Sequence, residues 1–245
     1  MWATLGLAIL LSMNAAQAAF HFWGVTEIYS SPDGSVQFVK LATSSTFQNA
    51  TAGHVINCTG PQGTHSFTFP AGLSSSATAG KTFLIGTSNL VSVPGGVTPD
   101  YFFTNSTPFL FLNGSSAITV GIVGSFVAPA SYTNLPTDGQ SSLAGSGSSL
   151  VVVTNAPKNF NDQSNSIVPV KFSTAQKVNT NFVMTFRTAT GVNASAGPTY
   201  TVEYKNLLTN SSWTPLTRVP GDGTTKSVSN AIASANQRFF RLNVP

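Results

Sequence analysis

Short runs of alternating or continuous apolar residues recur along the chain from Phe20 to Val244, broken by Gly, Pro, Asn and Ser. Strand-length runs with turn residues every ten or so positions predict a β-sandwich or barrel. The clearest stretch is Phe20–Leu41, FHFWGVTEIYSSPDGSVQFVKL, two strand-like runs around Ser31-Pro32-Asp33-Gly34. Pro32 pre-sets φ for a type I turn, Asp33 tolerates the next position, and Gly34 can take the positive φ of a bulged close. Further strands are predicted at Val55–Cys58, at Lys81–Gly86 and at Tyr101–Phe103. Thr64–Pro70 alternates, which puts His65, Phe67 and Phe69 on one face. Pro108–Leu112 and Ala117–Val127 are two more runs, and the Asn113-Gly114 between them is a hairpin signal. Helix is confined to the apolar N-terminal run and a candidate turn within Ser44–Ala52.

The last third has its own rhythm. Phe182–Phe186 alternates, and Tyr200–Tyr204 puts Tyr200, Val202 and Tyr204 on one face. Trp213–Leu216, the turn Gly221-Asp222-Gly223, Lys226–Val228 and Arg238–Val244 complete it. The polar, Asn-rich Asn159–Ser166 reads as the boundary. The expected fold is therefore all-β, with two tandem β-sandwich domains, 19–163 and 167–245.

Leu5–Met13 is apolar and Ala16-Gln17-Ala18 has the small-x-small pattern of a cleavage site, so residues 1–18 read as a signal peptide. No Lys or Arg precedes the apolar run. That run is too short to span a bilayer comfortably, and no later stretch is long enough. The expected localisation is secreted or cell-surface, with no membrane span after cleavage.

Composition narrows the class. Of 245 residues only 7% are charged, against about 25% in typical domains, while 41% are hydrophobic. Water-facing positions must then be filled by Ser, Thr, Asn and Gly, as in extracellular β-proteins. The net charge of +4 comes from scattered single Lys and Arg residues, which excludes a nucleic-acid patch. The single cysteine, Cys58, can form no internal disulfide and is expected in the core.

Several segments carry a family resemblance over most of 20–163: Phe20–Trp23, Glu27–Ser30, Asp33–Val39, Phe67–Pro70, Phe83–Thr87, Thr98–Tyr101, Leu135–Gly139 and Asn155–Phe160. In this order they resemble an uncharacterised family of secreted bacterial domains related to the lamin-tail, immunoglobulin-like fold. That family's pattern has an acidic residue where this chain has Lys40. The resemblance implies that Gly139–Ser149 (GQSSLAGSGSS), linker-like in composition, is a loop inside the first domain. Tyr200–Tyr204, Trp213, Gly221–Gly223 and Arg238–Arg241 resemble a C-terminal module common in secreted proteins of Verrucomicrobia-like bacteria. That likeness implies a fibronectin-type-III-like sandwich and no catalytic chemistry.

Catalytic constellations are thin. The histidines are His21, His54 and His65, and no Gly-x-Ser-x-Gly elbow lies on a strand-to-helix turn. Asp33, Asp100, Asp138 and Asp222 sit in turn contexts, leaving Glu27, Asp162 and Glu203 in separate segments. His54, Cys58 and His65 have zinc-ligand chemistry but lack a fourth group, and no Asp-x-Asp loop supports calcium at Asp33 or Asp138. No catalytic residue, cofactor or metal is expected. The two candidate ligand contacts are Trp23 and Trp213, since exposed tryptophans stack on sugars. The leading expectation is a non-enzymatic structural or adhesive protein. The alternative is a carbohydrate-binding module, and a hydrolase ranks third. Surface polysaccharide and other extracellular proteins are the partner classes.

Overall fold

The computed structural model describes residues 20–104, 108–231 and 237–244. The signal-peptide reading, at 1–18, lies outside them. Among the described residues sixteen strands follow in chain order, first β1 (Gly24–Ser30), β2 (Gln37–Ala42), β3 (Val55–Gly60), β4 (Gly63–Thr68), β5 (Thr82–Gly86) and β6 (Tyr101–Phe102). Next come β7 (Asn113–Ile122), β8 (Ala130–Asn134), β9 (Ser141–Ser146), β10 (Ser149–Thr154) and β11 (Thr174–Val178). The last are β12 (Asn181–Arg187), β13 (Thr199–Lys205), β14 (Thr214–Pro220), β15 (Thr225–Ala231) and β16 (Phe239–Asn243). Helix among the described residues is limited to two short 3-10 turns, Ser88–Ser92 and Val192–Ala194. The fold is all-β and sandwich-like.

A six-stranded sheet, β10-β9-β1-β2-β5-β6, packs on a four-stranded sheet, β4-β3-β7-β8. The central strands β1, β2 and β5 of the larger sheet are buried on both faces, which explains their near-continuous apolar runs, while β10 at its edge is exposed. Residues alternate along each strand. Val39, Leu41, Phe83 and Ile85 therefore enter the core between the sheets, together with Trp23, Ile56, Phe69 and Val120. Their neighbours Phe38 and Leu84 point the other way, into a second cluster with Tyr29, Leu90, Val97 and Ile167. The 3-10 segment and Ile167 thus cover the back of the sheet. Two three-stranded sheets, β11-β12-β15 and β14-β13-β16, enclose a third cluster built on Met184, Phe186, Tyr200 and Val202.

The opening hairpin forms as its turn chemistry predicts. The Gly34 amide donates to the Ser31 carbonyl at 3.0 Å, and Gly34 has φ +73°. The loop runs on to Val36, so the returning strand starts at Gln37. A Cβ at Gly34 would stand 3.0 Å from Pro108 Cγ. Gly34→Val is expected to destabilise the full chain by about 1–2 kcal/mol and Gly34→Asn by less, because Asn tolerates this backbone region. Urea unfolding followed by circular dichroism would check both, and the transition of the β11–β16 sheets should not move.

Three local expectations are corrected. Asn113-Gly114 is no hairpin turn: β7 begins at Asn113, and Pro108–Leu112 is not a strand. The side chain of buried Gln37 explains the irregular segment. Its Nε2 donates to the Leu110 carbonyl at 3.0 Å and its Oε1 accepts the Leu110 amide at 2.8 Å, so a side-chain amide replaces a strand ladder. Gly139–Ser149 is not a loop, since it supplies β9 and the start of β10. Small residues are needed there for close approach: a Cβ on Gly145 would lie 2.1 Å from the Ser149 carbonyl oxygen. Ser44–Ala52 makes no helical turn. Its backbone groups bond instead to distant loops, as in Phe47 to Ser76 and Leu73 to Asn49.

The polar stretch after β10 is a strap lying on the back of the large sheet. Ala156 reaches Glu27 and Lys40, Lys158 reaches Thr82, and the Phe160 amide reaches Asp100. It then returns, with Asn155 bonded to both the amide and the carbonyl of Ile167. Ser164 and Asn165 go on to bond Asn193 and Thr190 ahead of β13.

Candidate functional site

The chemistry-bearing side chains are mostly held by partners within the protein. Glu27 lies mid-strand on the strap side of β1 and is only 1% exposed. One carboxylate oxygen pairs with Lys40; the other accepts from Ser142 Oγ and the Ala156 amide, both at 2.7 Å. Asp33 and Asp138 cap their own turns through Ser35 and through Gln140 and Ser141. The bonds from Ser31 and Ser35 bring the Asp33 carboxyl down to about 2. Asp100 accepts the amides of Leu84 and Phe160, and burial raises its carboxyl despite those bonds. Asp162 pairs with Lys81 and Lys158, Glu203 with Arg241, and Asp222 with Lys226. All 7 acidic residues of the chain are accounted for in this way.

His54, Cys58 and His65 do not converge. Cys58 and His65 face each other across β3 and β4. Cys58 is fully buried near Tyr132, while His65 Nδ1 lies 3.0 Å from the Phe109 carbonyl oxygen. Among the described residues no group of three or more His, Cys, Asp and Glu is placed to hold a metal ion.

The two tryptophans part company. Trp23 is 1% exposed, edge-on to Phe83 with centroids 4.6 Å apart, and its indole N–H donates to the Gln48 carbonyl at 2.7 Å. It offers no open face. Trp213 is half-buried just before β14, with Arg241 and Lys205 over its ring at 4.6 and 5.0 Å. Those cations occupy the ring surface that a ligand would need.

The exposed aromatics lie elsewhere, at the end of the sandwich where β1 and β8 begin and β2 and β7 stop. Phe126 is 74% exposed, Phe47 63% and Phe22 44%, and Val123, on the loop that carries Phe126, is 56% exposed. Phe22 and Phe126 meet at 5.6 Å, and His21 stands 5.1 Å from Phe126. The loops are stitched together by hydrogen bonds. The Phe126 amide donates to the His21 carbonyl at 2.9 Å, and the Phe22 amide donates to Gln48 Oε1 at 3.2 Å. Phe47 sits next to Gln48 with φ +60°, an outlying conformation for a bulky residue. The alternation pattern assigns Phe126 to a strand, but that strand stops at Ile122. The signal available was Gly124-Ser125, with Pro129 just beyond: a turn pair that ends β7 and lifts Phe126 out.

His54 closes this end from below, packed 4.8 Å from Phe20 and 6.0 Å from His21. Burial, then the proximity of His21, lowers its pKa from 6.5. A histidine with a depressed folded pKa binds fewer protons than its unfolded form, so its contribution to stability is lost as pH falls below about 6.5. Wild-type melting temperature is expected to drop between pH 7 and 5, and His54→Phe to drop less; scanning calorimetry at the two pH values checks this.

No known protein family, curated protein or solved structure matches the chain.

Proposed function

We propose that the chain is a non-enzymatic secreted or cell-surface protein with a structural or adhesive role, acting by contact through its aromatic loop end. The observation that carries this reading is the contact of exposed Phe22 and Phe126 at one end of the double sheet, with exposed Phe47 and Val123 on the loops of the same end. Isolated exposed apolar residues need no explanation, but a shared patch on one end marks an interaction surface. The structural employment of the acidic residues supports a role without catalysis. In this reading residues 1–18 direct export, 19–163 form the lamin-tail-like domain and 167–245 the fibronectin-III-like module.

A carbohydrate-binding reading comes second, favoured by the adjacent rings of His21, Phe22 and Phe126. Phenylalanine supplies a stacking face but no hydrogen bond, which ranks it lower. The test is fractionation of producing cells. Wild type is expected on the cell surface or in the extracellular matrix, with Phe22→Ser/Phe126→Ser released to the medium. Equal distribution of the two proteins would overturn the contact reading. Tight binding to one class on a glycan array, abolished by the same pair, would move the second reading to first.

A further inference from the structure

The segments that build the aromatic end are Phe20–Trp23, Thr43–His54, Pro70–Gly80, Val123–Pro129 and the tip Gly145–Ser148, and none contains Asp, Glu, Lys or Arg. Their titratable groups are His21 and His54 alone. Charged side chains resume at the flank, where Lys81, ahead of β5, joins Lys158 and Asp162. In a chain with 11 basic and 7 acidic residues, most of them engaged in ion pairs or turns, this end is set apart by chemistry as well as by exposure.

We propose that this end seats on a lipid bilayer, with Phe126, Phe22 and Phe47 entering the boundary between headgroups and acyl chains; the proposal rests on the contact reading above. Two observations favour a bilayer over a protein partner. The apolar side chains project from loop tips, Phe126 most of all at 74% exposure. A protein partner would need a matching pocket for each, whereas a fluid interface accepts convex apolar tips. The absence of charge means that no ionic group loses its water when the tips enter. The left-handed backbone at Phe47 fits the same picture, because it presents a ring outward that no burial within the protein rewards.

The test is sedimentation of a chain beginning at Ala19, which keeps every described residue, with vesicles of phosphatidylethanolamine and phosphatidylglycerol. Wild type is expected to co-sediment. Phe126→Ser should lower the partition coefficient about tenfold and Phe22→Ser/Phe126→Ser about a hundredfold, as each buried phenylalanine ring contributes on that scale. Phe102→Ser, at an exposed phenylalanine on β6 outside the patch, should leave it unchanged. Binding should hold within about twofold between 0.1 and 0.5 M NaCl, since no exposed ion pair carries it. Circular dichroism of each variant confirms folding. Failure of wild type to bind, or unchanged binding by the double variant, overturns the proposal. If the double variant is still shed from cells while vesicles bind neither protein, the contact reading stands and the lipid assignment falls. A wild-type dimer that Phe126→Ser dissociates in sedimentation velocity would likewise replace the bilayer with a second copy of the chain.

Discussion

Replacing Lys40 with methionine is expected to destabilise the β1–β10 sheets by about 3–5 kcal/mol, the scale on which a buried charge loses its partner. Glu27 is 1% exposed and lies under the strap, so its carboxylate has little access to water. Methionine keeps most of the aliphatic stem of Lys40, so the loss reports the uncompensated carboxylate rather than a cavity. The bonds from Ser142 and Ala156 remain, but neither carries a positive charge. The strap should also loosen, because Lys40 donates to the Ala156 carbonyl at 2.9 Å. Glu27→Gln in the Lys40→Met background should recover much of the stability, since a neutral amide still accepts from Ser142 and Ala156. Urea unfolding of the full chain measures both. A Lys40→Met protein within about 1 kcal/mol of wild type would mean that the pair is open to water.

Trp23→Ala should cost about 3–5 kcal/mol, as large-to-small changes do in close-packed cores. Trp23 is among the largest fully buried side chains and meets Phe83 edge-on. Trp23→Phe separates the hydrogen bond from the volume. It keeps a ring in the core but leaves the Gln48 carbonyl without its donor, at about 1–3 kcal/mol. In a chain beginning at Ala19, either change leaves Trp213 as the sole tryptophan. Its fluorescence then follows the β14-β13-β16 sheet while circular dichroism follows the whole. The two probes should separate in Trp23→Ala, with the early transition belonging to the larger sheets. Coincident transitions near the wild-type midpoint would show that Trp23 is not a keystone of this core.

Much of this architecture was legible where a strand's alternation met a two-sided burial pattern. Val39 and Leu41 against Phe38, and Tyr200 and Val202 in β13, follow directly from period-2 reading. The turn at Gly34 was legible because type I chemistry with a following glycine has few alternatives. What escaped was decided by side chains far apart in sequence. Asn113-Gly114 looks like a turn only until Gln37 is known to bond Leu110 from the other side of the core. Gly139–Ser149 looks like a linker because tight strand contact selects the same small residues as flexibility does. The aromatic end was hidden for a related reason: Phe22 and Trp23 are adjacent, yet one faces water and the other the core. Only the turn at Gly124-Ser125 hints that Phe126 leaves the sheet.

The strap has a mechanical meaning. The chain enters the large sheet at the aromatic end, at the start of β1, a strand hydrogen-bonded to β2 on one side and β9 on the other. It leaves at the opposite end, where Pro169 lies against Gly139 and Lys171 reaches the Asp138 carbonyl. A pull between a surface gripping the aromatic end and the β11–β16 sheets therefore runs along β1. Its two hydrogen-bond ladders are loaded in parallel and must shear together rather than open one bond at a time. Before tension peels β10 from the edge it must also draw the strap out from the ion pair of Glu27 and Lys40. On the contact reading proposed above, the chain would bear load best along the line of β1, from the aromatic end to the exit of the strap.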